Sequence, residues 1–441
     1  MKKDSVDKKL SLVGSVSLGT GVMIGAGIFV LMGQVAELAG DLFPLTFLVA
    51  AGVVGFSAYS YVKFSNAYPS SGGVAKFLRK AYGPGTITGT FSLLMYVSMV
   101  IAESLVARTF GTYTLRLFDI ESTSSLVPIL GVILIAAAYV INVAGNKIIE
   151  STATTTAIIK ILGLAIFAIA GLAVGGFSSF ASASGGIGND ANLGGFIAAL
   201  ALAILAYKGF TTITNQGGDI VNPNRNVSRS IIISIFIVTV IYVALALSVA
   251  ANLSVPEIIA AKDYSLAAAA QPIFGDWGLW FTVLLAIIAT VSAIIASVFS
   301  ASRLLAMLSK MKQIPRLPSR FSNPALIFTV LLAMTLTILF DLTRIAAIGA
   351  IFYLVMDIVI HWGLFRHMRK EIDIIPFITL LAILFDTVIL IAFSVLKFKS
   401  DPLVLVVSIF GIFIVIIAQR LFMRTHTDSD GKMNMGMEDD S

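Results

Sequence analysis

Residues 21–29 read GVMIGAGIF and lie in the middle of a long apolar run. Three glycines among nine residues interrupt a helix, because glycine loses more conformational freedom on folding than any other residue. Inside a membrane, an interrupted helix frees backbone N–H and C=O groups that lipid cannot satisfy, so these groups must line a cavity or bind something. This stretch therefore predicts a membrane helix that is broken at a binding site.

A second interruption lies in the sixth apolar run, where residues 206–219 read AYKGFTTITNQGGD. Glycines in apolar helices can simply allow close helix packing, and this is the competing interpretation for any single one of them. Two breaks at corresponding positions, five runs apart, favour an inverted-repeat transporter in which the breaks face each other near the bilayer midplane. The ends of half-helices carry partial charges, so a zwitterion suits such a place without any charged side chain.

The composition predicts that lipid is the solvent of this chain. Of its 441 residues, 58% are hydrophobic and 12% are charged, whereas about 25% are charged in an ordinary soluble protein. Apolar runs of roughly 20 residues, the length that spans a bilayer, recur along the chain. We predict an all-α integral membrane protein with twelve transmembrane helices, which cover residues 12–38, 43–65, 86–117, 127–145, 152–177, 193–221, 230–250, 276–308, 325–341, 344–364, 375–396 and 402–423.

The distribution of basic residues predicts the orientation in the membrane. Lysines and arginines on one side of the predicted helices outnumber those on the other by roughly four to one, and the richer side is cytoplasmic. We expect a multi-pass protein of the cell membrane with both termini in the cytoplasm and no cleaved signal peptide. We divide the chain into a cytoplasmic tail (1–11), a first repeat (12–177), a second repeat (178–364), two further helices (365–424) and a disordered cytoplasmic tail (425–441).

The sequence disfavours several classes of function. The chain has no cysteine and only three histidines, all near its C-terminal end, so it offers no evident cluster for a metal. The enzyme motifs HExxH and GxSxG are absent, and the basic residues follow alternate loops as membrane orientation requires. We expect no enzymatic activity, no cofactor, no metal and no nucleic acid partner.

Four segments carry a resemblance to a known family. Besides GVMIGAGIF, they are YPSSGGVAKFLRKAYG at residues 68–83, INVAGNKIIE at 141–150 and AYKGFTTITNQGGDIVNPNRNV at 206–227. In order and spacing they resemble the amino acid, polyamine and organocation transporter superfamily over residues 8–320, and the last four spans match by hydropathy alone. The resemblance implies amino acid transport and a LeuT-type architecture. In that fold, two five-helix repeats are inverted, helices one and six are broken, and two helices are peripheral.

The resemblance also implies a substrate site. The amides of Ala26 and Gly27 would face the carboxylate of an amino acid. Tyr207 either lines this pocket or stacks over the ligand, although a tyrosine in a membrane helix often serves packing alone. The carbonyls near Met23, Leu205 and Lys208 would face the amine. The complete set implied for the substrate is Met23, Gly25, Ala26, Gly27, Leu205, Tyr207, Lys208 and Gly209.

Lys160 is the residue to which we assign coupling. It lies eight residues into the fifth predicted span, where a charge costs at least about 2.5–3.5 kcal/mol on insertion scales and therefore indicates a function. In part of the superfamily, a lysine here stands where sodium-coupled relatives bind an ion, and the resemblance gives it Gly21 and Ser292 as neighbours. Because burial disfavours a charged amine, Lys160 is suited to exchange a proton during transport. The alternative is a permanently charged tether.

The other intramembrane charges have open assignments. Lys208, in the second break, pairs with Glu103 of the third span, contacts an acidic substrate side chain or points to water. Asp357 and His361 are four residues apart in the tenth span and would meet on one helix face, as a proton relay or as a contact at a gate. Asp386 has no evident partner in the sequence.

Together these features predict a secondary active transporter of amino acids or related amines, acting as a proton-coupled symporter. An exchanger and a transporter-like nutrient receptor are the alternatives. A receptor usually carries a signalling domain, whereas the tail of this chain is short, polar and acidic at MGMEDDS. The expected partners are a small-molecule substrate, protons and the lipid bilayer. Pocket shape depends on packing, so the sequence leaves the particular amino acid and the oligomeric state open.

Overall fold

The structure, a computed structural model, is built from helices. It describes residues 10–70, 72–144, 146–176, 193–318, 320 and 322–426. Within these residues there is no β-strand, and extended backbone pairs only in a parallel bridge between Leu10 and Ile220. The described helices are α1 (Leu12–Met23), α2 (Ala26–Ala39), α3 (Phe43–Ala67), α4 (Gly73–Tyr82), α5 (Thr86–Arg116), α6 (Leu126–Ala144), α7 (Asn146–Gly175), α8 (Leu193–Tyr207), α9 (Thr211–Asn215), α10 (Pro223–Asn252), α11 (Val255–Ala260), α12 (Ser265–Phe274), α13 (Trp277–Lys310), α14 (Pro324–Leu339), α15 (Leu342–Gly363), α16 (Pro376–Ser400) and α17 (Pro402–His426).

Helix length and composition confirm an all-helical, multi-pass membrane protein. In the described part of the chain, ten segments are long and apolar enough to cross a bilayer. Two features bring this number below the predicted twelve. Helices α2 and α3 run together as one segment, Gly27–Ala67, and α14, with 16 residues, is shorter than the roughly 20 that a bilayer requires. Twelve spans therefore stay a prediction.

The predicted division of the chain falls partly on residues that the structure does not describe. The boundary between the two repeats, at residues 177 and 178, lies outside the described residues. The same holds for residues 1–9 of the first tail and 427–441 of the last. The two predicted repeats are therefore each described only in part, and their division stays a prediction.

Burial separates central helices from peripheral ones. In their most apolar windows, 78% of residues are buried in α5 and 83% in Leu193–Asn215, which contains α8 and α9. The corresponding shares are 28% in α16 and 22% in α17. Exposed side chains on these two helices include Phe377, Ile391 and Phe410, and large apolar side chains on an outer surface suit contact with lipid. The segment that contains the second break is thus mostly buried, whereas most residues of α16 and α17 are not.

Glycines at helix contacts let two backbones approach closely. At Gly33 of α2, an added Cβ would lie 2.3 Å from the carbonyl oxygen of Lys262 and 2.4 Å from its Cα. Atoms at that distance overlap, so the contact between α2 and the turn after α11 requires a residue without a side chain. At Gly52 of α3, by contrast, an added Cβ would meet no atom within 4 Å.

Gly33→Ala is expected to destabilise the protein, whereas Gly52→Ala is not. The methyl group at position 33 overlaps backbone that cannot rotate away, and overpacking of this kind costs about 1–3 kcal/mol. Alanine at position 52 keeps the helix and favours it by up to about 1 kcal/mol over glycine. Thermal unfolding of the purified variants in detergent measures the difference, with Gly33→Ala melting below the parent protein. Equal melting temperatures would contradict the packing against Lys262.

Candidate functional site

The first predicted break is present and lies at Ile24 and Gly25. Helix α1 ends at Met23, and the amide of Ile24 still donates to the carbonyl of Thr20 at 2.8 Å. At Gly25 the backbone leaves the helical conformation (φ −116°, ψ −115°), and α2 begins at the next residue with no side chain capping its first amides. Such amides form the positive end of a half-helix. The break therefore offers backbone donors inside the bundle.

The second break is a tight turn. Helix α8 ends at Tyr207, a 3₁₀ turn covers Lys208–Phe210, and α9 follows directly. At Gly209 an added Cβ would lie 2.6 Å from the amide nitrogen of Met23, so the turn touches the end of α1. The two breaks therefore lie against each other, and glycine at position 209 permits this close approach.

Tyr242 of α10 links the two breaks. Its hydroxyl donates to the carbonyl of Met23 at 2.6 Å and lies 3.3 Å from the carbonyl oxygen of Ala206. An added Cβ at Gly27 would lie 3.0 Å from the same hydroxyl, so the start of α2 also packs against this side chain. A single tyrosine in a long apolar run has no distinguishing pattern, and sequence reasoning did not identify it.

Two of the three carbonyl groups implied for the substrate amine already have side-chain donors in this conformation. The carbonyl of Met23 accepts from Tyr242 at 2.6 Å, and that of Lys208 accepts from the Thr211 hydroxyl at 2.9 Å. Each carbonyl oxygen has a second lone pair that can accept another hydrogen bond. An amine bound here either uses that lone pair or displaces the present donor.

Leu205 and Tyr207 are both buried in α8. The Tyr207 hydroxyl donates to the carbonyl of Phe47 at 3.2 Å, and its ring centre lies 5.1 Å from that of Tyr242. Leu205 faces α15, where an added Cβ at Gly349 would lie 3.6 Å from its methyl carbons. In this conformation both side chains pack against neighbouring helices.

Lys160 of α7 connects to both α1 and α13. Its ammonium donates to the carbonyl of Gly21 and to the hydroxyl of Ser292, each at 2.8 Å. The residue is only 1% exposed, and both acceptors are uncharged. Gly21 lies in the last turn of α1, so the lysine holds the segment that leads into the first break. The structure thus brings together the three residues that the resemblance implies for coupling.

Lys208 forms an ion pair with Asp357 of α15. This partner is not among the three alternatives that the sequence left open. Asp357 also accepts hydrogen bonds from the Ser57 hydroxyl at 2.9 Å and the Tyr61 hydroxyl at 2.7 Å, both on α3. Lys208 is 2% exposed, so its predicted exposure to water is wrong. Its predicted pairing with Glu103 is also wrong, because the carboxylate of Glu103 has no partner among the described residues. Ser57 and Tyr61 are four residues apart, a spacing that places them on one helix face. This spacing was the only sign in the sequence that α3 presents two hydroxyl groups to a common partner.

His361 lies near Asp357 on one face of α15, as their spacing predicts, and it also contacts Asp386 of α16, for which the sequence offered no partner. Its Nε2 lies 3.1 Å from a carboxylate oxygen of Asp386, and both residues are fully buried. Potential ligand atoms of Asp357, His361 and Asp386 all lie within 4.8 Å of one another. A divalent metal does not suit this group, because the ammonium of Lys208 already contacts Asp357 and repels a second cation.

Glu103 of α5 is fully buried, and neither carboxylate oxygen has a hydrogen-bond partner among the described residues. One turn before it, the sulfur of Met99 lies 3.3 Å from the amide nitrogen of Asn215 in α9. One turn after it, Val106 lies 3.9 Å from the place of an added Cβ at Gly25. Residues at these spacings share a helix face, so Glu103 lies on the face of α5 that meets the broken helices.

These features define a membrane transporter. Two broken helices meet at the centre of a bundle of apolar helices with buried charges beside them, which is how transporters build sites from helix ends. The chain belongs to the amino acid permease family, whose sequence profile matches residues 10–429. It is therefore a transporter and not an enzyme.

Individual relatives agree with this assignment. An uncharacterized protein of Methanocaldococcus jannaschii is 34% identical over 86% of this chain and 88% of its own length. The inner membrane transport protein YbaT of Escherichia coli is 29% identical over 79% of this chain and 81% of its own. The serine/threonine exchanger SteT of Bacillus subtilis is 24% identical over 86% of this chain and 90% of its own length. Each similarity extends over most of both chains.

Tyr242→Phe is expected to loosen the contact between the two breaks and to lower the melting temperature. It removes the hydroxyl that donates to Met23, and an unsatisfied buried acceptor costs about 1–3 kcal/mol. Tyr139→Phe in α6 is the matched control, since Tyr139 is partly exposed. Thermal unfolding of both purified variants makes the comparison. If Tyr242→Phe melts no lower than Tyr139→Phe, the hydroxyl does not hold the breaks together.

Proposed function

We propose that this protein is a secondary active transporter that moves amino acids together with protons, and that the ammonium of Lys160 replaces the sodium ion of sodium-coupled relatives. The observation that carries the proposal is the pair of hydrogen bonds from Lys160 to Gly21 and Ser292. Through them, one positive charge bridges α1, α7 and α13 just before the first break. A bound metal ion at this place would make the same three-way connection.

The proposal includes the architecture implied by the sequence. Twelve spans form two inverted repeats, residues 12–177 and 178–364, followed by two peripheral helices, and both termini lie on the cytoplasmic side of the cell membrane. The low burial of α16 and α17 supports the peripheral position of the last two helices. The contact between Gly209 and Met23 supports an arrangement in which the first and sixth spans meet at the centre.

The proposed substrate site lies between the two breaks. The carboxylate of an amino acid accepts from the amides of Ala26 and Gly27, since the positive end of α2 favours an anion. The ammonium group donates to the backbone carbonyls of Met23, Leu205 and Lys208. Because the turn of the second break touches Met23 in this conformation, substrate binding requires the breaks to separate.

Proton binding and substrate binding are linked through α1. When Lys160 is charged, its two hydrogen bonds are charge-assisted, roughly twice as strong as neutral ones, and they hold α1 against α7 and α13. Loss of the proton weakens both bonds and frees the segment before the break to move. Neither acceptor is an acid, so release of the proton leaves no unpaired negative charge in the membrane.

Exchange is the second candidate function, and one relative supports it. The Bacillus subtilis protein is a serine/threonine exchanger. Exchange of one amino acid for another needs no net movement of protons, so it is compatible with a Lys160 that stays charged throughout the cycle. In that case Lys160 is a permanent tether for α1.

Proteoliposomes containing the purified protein are expected to concentrate an amino acid when the external pH is lower than the internal pH. Radiolabelled serine and threonine are the first probes, followed by basic and aromatic amino acids. Uptake should persist without sodium and collapse with a protonophore. Lys160→Arg keeps the charge but does not release its proton, so its concentrative uptake should fall to the background of empty liposomes.

Lys397→Arg on the peripheral helix α16 is the matched control and should keep full uptake. Proton-driven, concentrative uptake by a folded Lys160→Arg protein would eliminate the proton switch and leave the tether. Uptake that depends on unlabelled amino acid inside the liposomes, and is indifferent to the pH gradient, would favour exchange over symport.

A further inference from the structure

Four buried residues form one group, which we call the buried charge cluster: Lys208, Asp357, His361 and Asp386. Lys208 is 2% exposed and the other three are 0% exposed. They come from three parts of the chain, namely the turn between α8 and α9, helix α15 and helix α16. The ammonium of Lys208 contacts Asp357, and Nε2 of His361 lies 3.1 Å from Asp386. The proposed function gives the four side chains no role.

The charges of this cluster do not balance without a bound proton. Lys208 supplies one positive charge, whereas Asp357 and Asp386 supply two negative charges when both are ionised. With a neutral His361, the cluster therefore carries one net negative charge where the protein excludes water. A buried net charge is strongly unfavourable. One additional proton, on His361 or on Asp386, removes it.

The groups around the cluster do not supply the missing positive charge. From α3, the hydroxyls of Ser57 and Tyr61 donate to Asp357, which stabilises its negative charge without neutralising it. Neither ring nitrogen of His361 and neither carboxylate oxygen of Asp386 makes a well-aligned hydrogen bond within the described part of the chain, although Nε2 and the carboxylate are 3.1 Å apart. The titratable and charged groups that face His361 and Asp386 are Lys208 from the turn, Tyr61 from α3 and Asp357 from α15.

A proton suits this place better than a metal ion does. Two carboxylates and an imidazole are possible metal ligands, but Asp357 already accepts from Lys208, Ser57 and Tyr61. A divalent cation would have to displace or approach the ammonium, and the two positive charges repel each other. A proton binds on an existing side-chain atom and needs no additional space.

We propose that the buried charge cluster is a proton-binding site in which His361 and Asp386 share one proton. The site is separate from Lys160, whose hydrogen bonds go to α1 and α13. It goes beyond the proposed function and does not depend on it, because the proton can be observed without transport. Since Lys208 belongs to the second break, the cluster also ties this break to α3 and α15. Loss of the proton leaves two ionised carboxylates, Asp357 and Asp386, beside the single ammonium of Lys208. This change in charge alters the contacts that hold the second break against α3 and α15.

The small number of histidines makes the proton directly observable. The chain has only His361, His367 and His426, so the variant with His367→Gln and His426→Gln retains the imidazole of His361 alone. The full-length protein with nitrogen-15 histidine is reconstituted in lipid and studied by solid-state NMR at about pH 8, where an exposed histidine is neutral. Infrared spectroscopy of the same sample detects a protonated carboxyl group. We expect a charged His361 or a protonated Asp386.

Matched variants test the charge balance itself. Asp357→Asn and Asp386→Asn each remove one negative charge, so the cluster balances without the proton, and both signals should disappear. Lys208→Met removes the positive charge, so the cluster should keep its proton and should need a second one to balance its two acids. Lys160→Met lies outside the cluster and should leave the signal of His361 unchanged.

Neutral His361 together with ionised Asp386 in the unaltered cluster would overturn the proposal, as would a proton that persists in both Asp→Asn variants. The first measurement requires no substitution within the cluster, so it decides the question even if a variant does not fold. Absence of proton-driven uptake in proteoliposomes, with the cluster protonated, would contradict the proposed function alone. Proton-driven uptake with an unprotonated cluster would contradict this inference alone.

Discussion

Backbone polar groups inside a lipid bilayer must find partners within the protein, and the breaks in this transporter free several of them. The carbonyls in the last turn of a helix have no helical partner. In α1, the carbonyl of Gly21 accepts from Lys160 and that of Met23 accepts from Tyr242. The side chains of Lys160 from α7 and Tyr242 from α10 supply these missing donors at the end of α1. The position of the buried lysine follows from this requirement.

The two lysines beside the breaks are stabilised in different ways, and their chemistry differs accordingly. Lys160 is held by a carbonyl and a hydroxyl, so the neutral amine leaves no anion behind when the proton departs. Lys208 contacts the carboxylate of Asp357, and loss of its proton would leave a buried negative charge, which is strongly unfavourable. The proposed proton exchange is therefore compatible with the surroundings of Lys160, whereas Lys208 joins the turn of the second break to α15.

Local properties of the sequence predicted the class of fold and the first break, because hydropathy and glycine spacing act over a few residues. The contacts of Lys160 with Gly21 and Ser292 were anticipated through family resemblance, since spacing alone gives no information on them. The pair of Lys208 and Asp357 joins residues 149 positions apart. Such a pairing depends on how helices pack against one another, which periodicity does not encode.

The same limit applies to the tenth and eleventh predicted spans. The spacing of Asp357 and His361 correctly placed both on one face of α15 and so brought them near each other. It did not indicate that α16 faces them with Asp386, because nothing within α15 specifies its neighbour. The number of spans was equally hard to fix, since α2 and α3 are joined by a single short turn, Gly40–Leu42, and α14 is short.

A cryo-electron microscopy structure of the protein in lipid with saturating serine or threonine tests the central claim most directly. The account predicts an amino acid between the breaks, with its carboxylate within roughly 2.7–3.2 Å of the amides of Ala26 and Gly27. It also predicts that Gly209 has moved away from Met23. An amino acid bound elsewhere, with the breaks still in contact, would contradict the account.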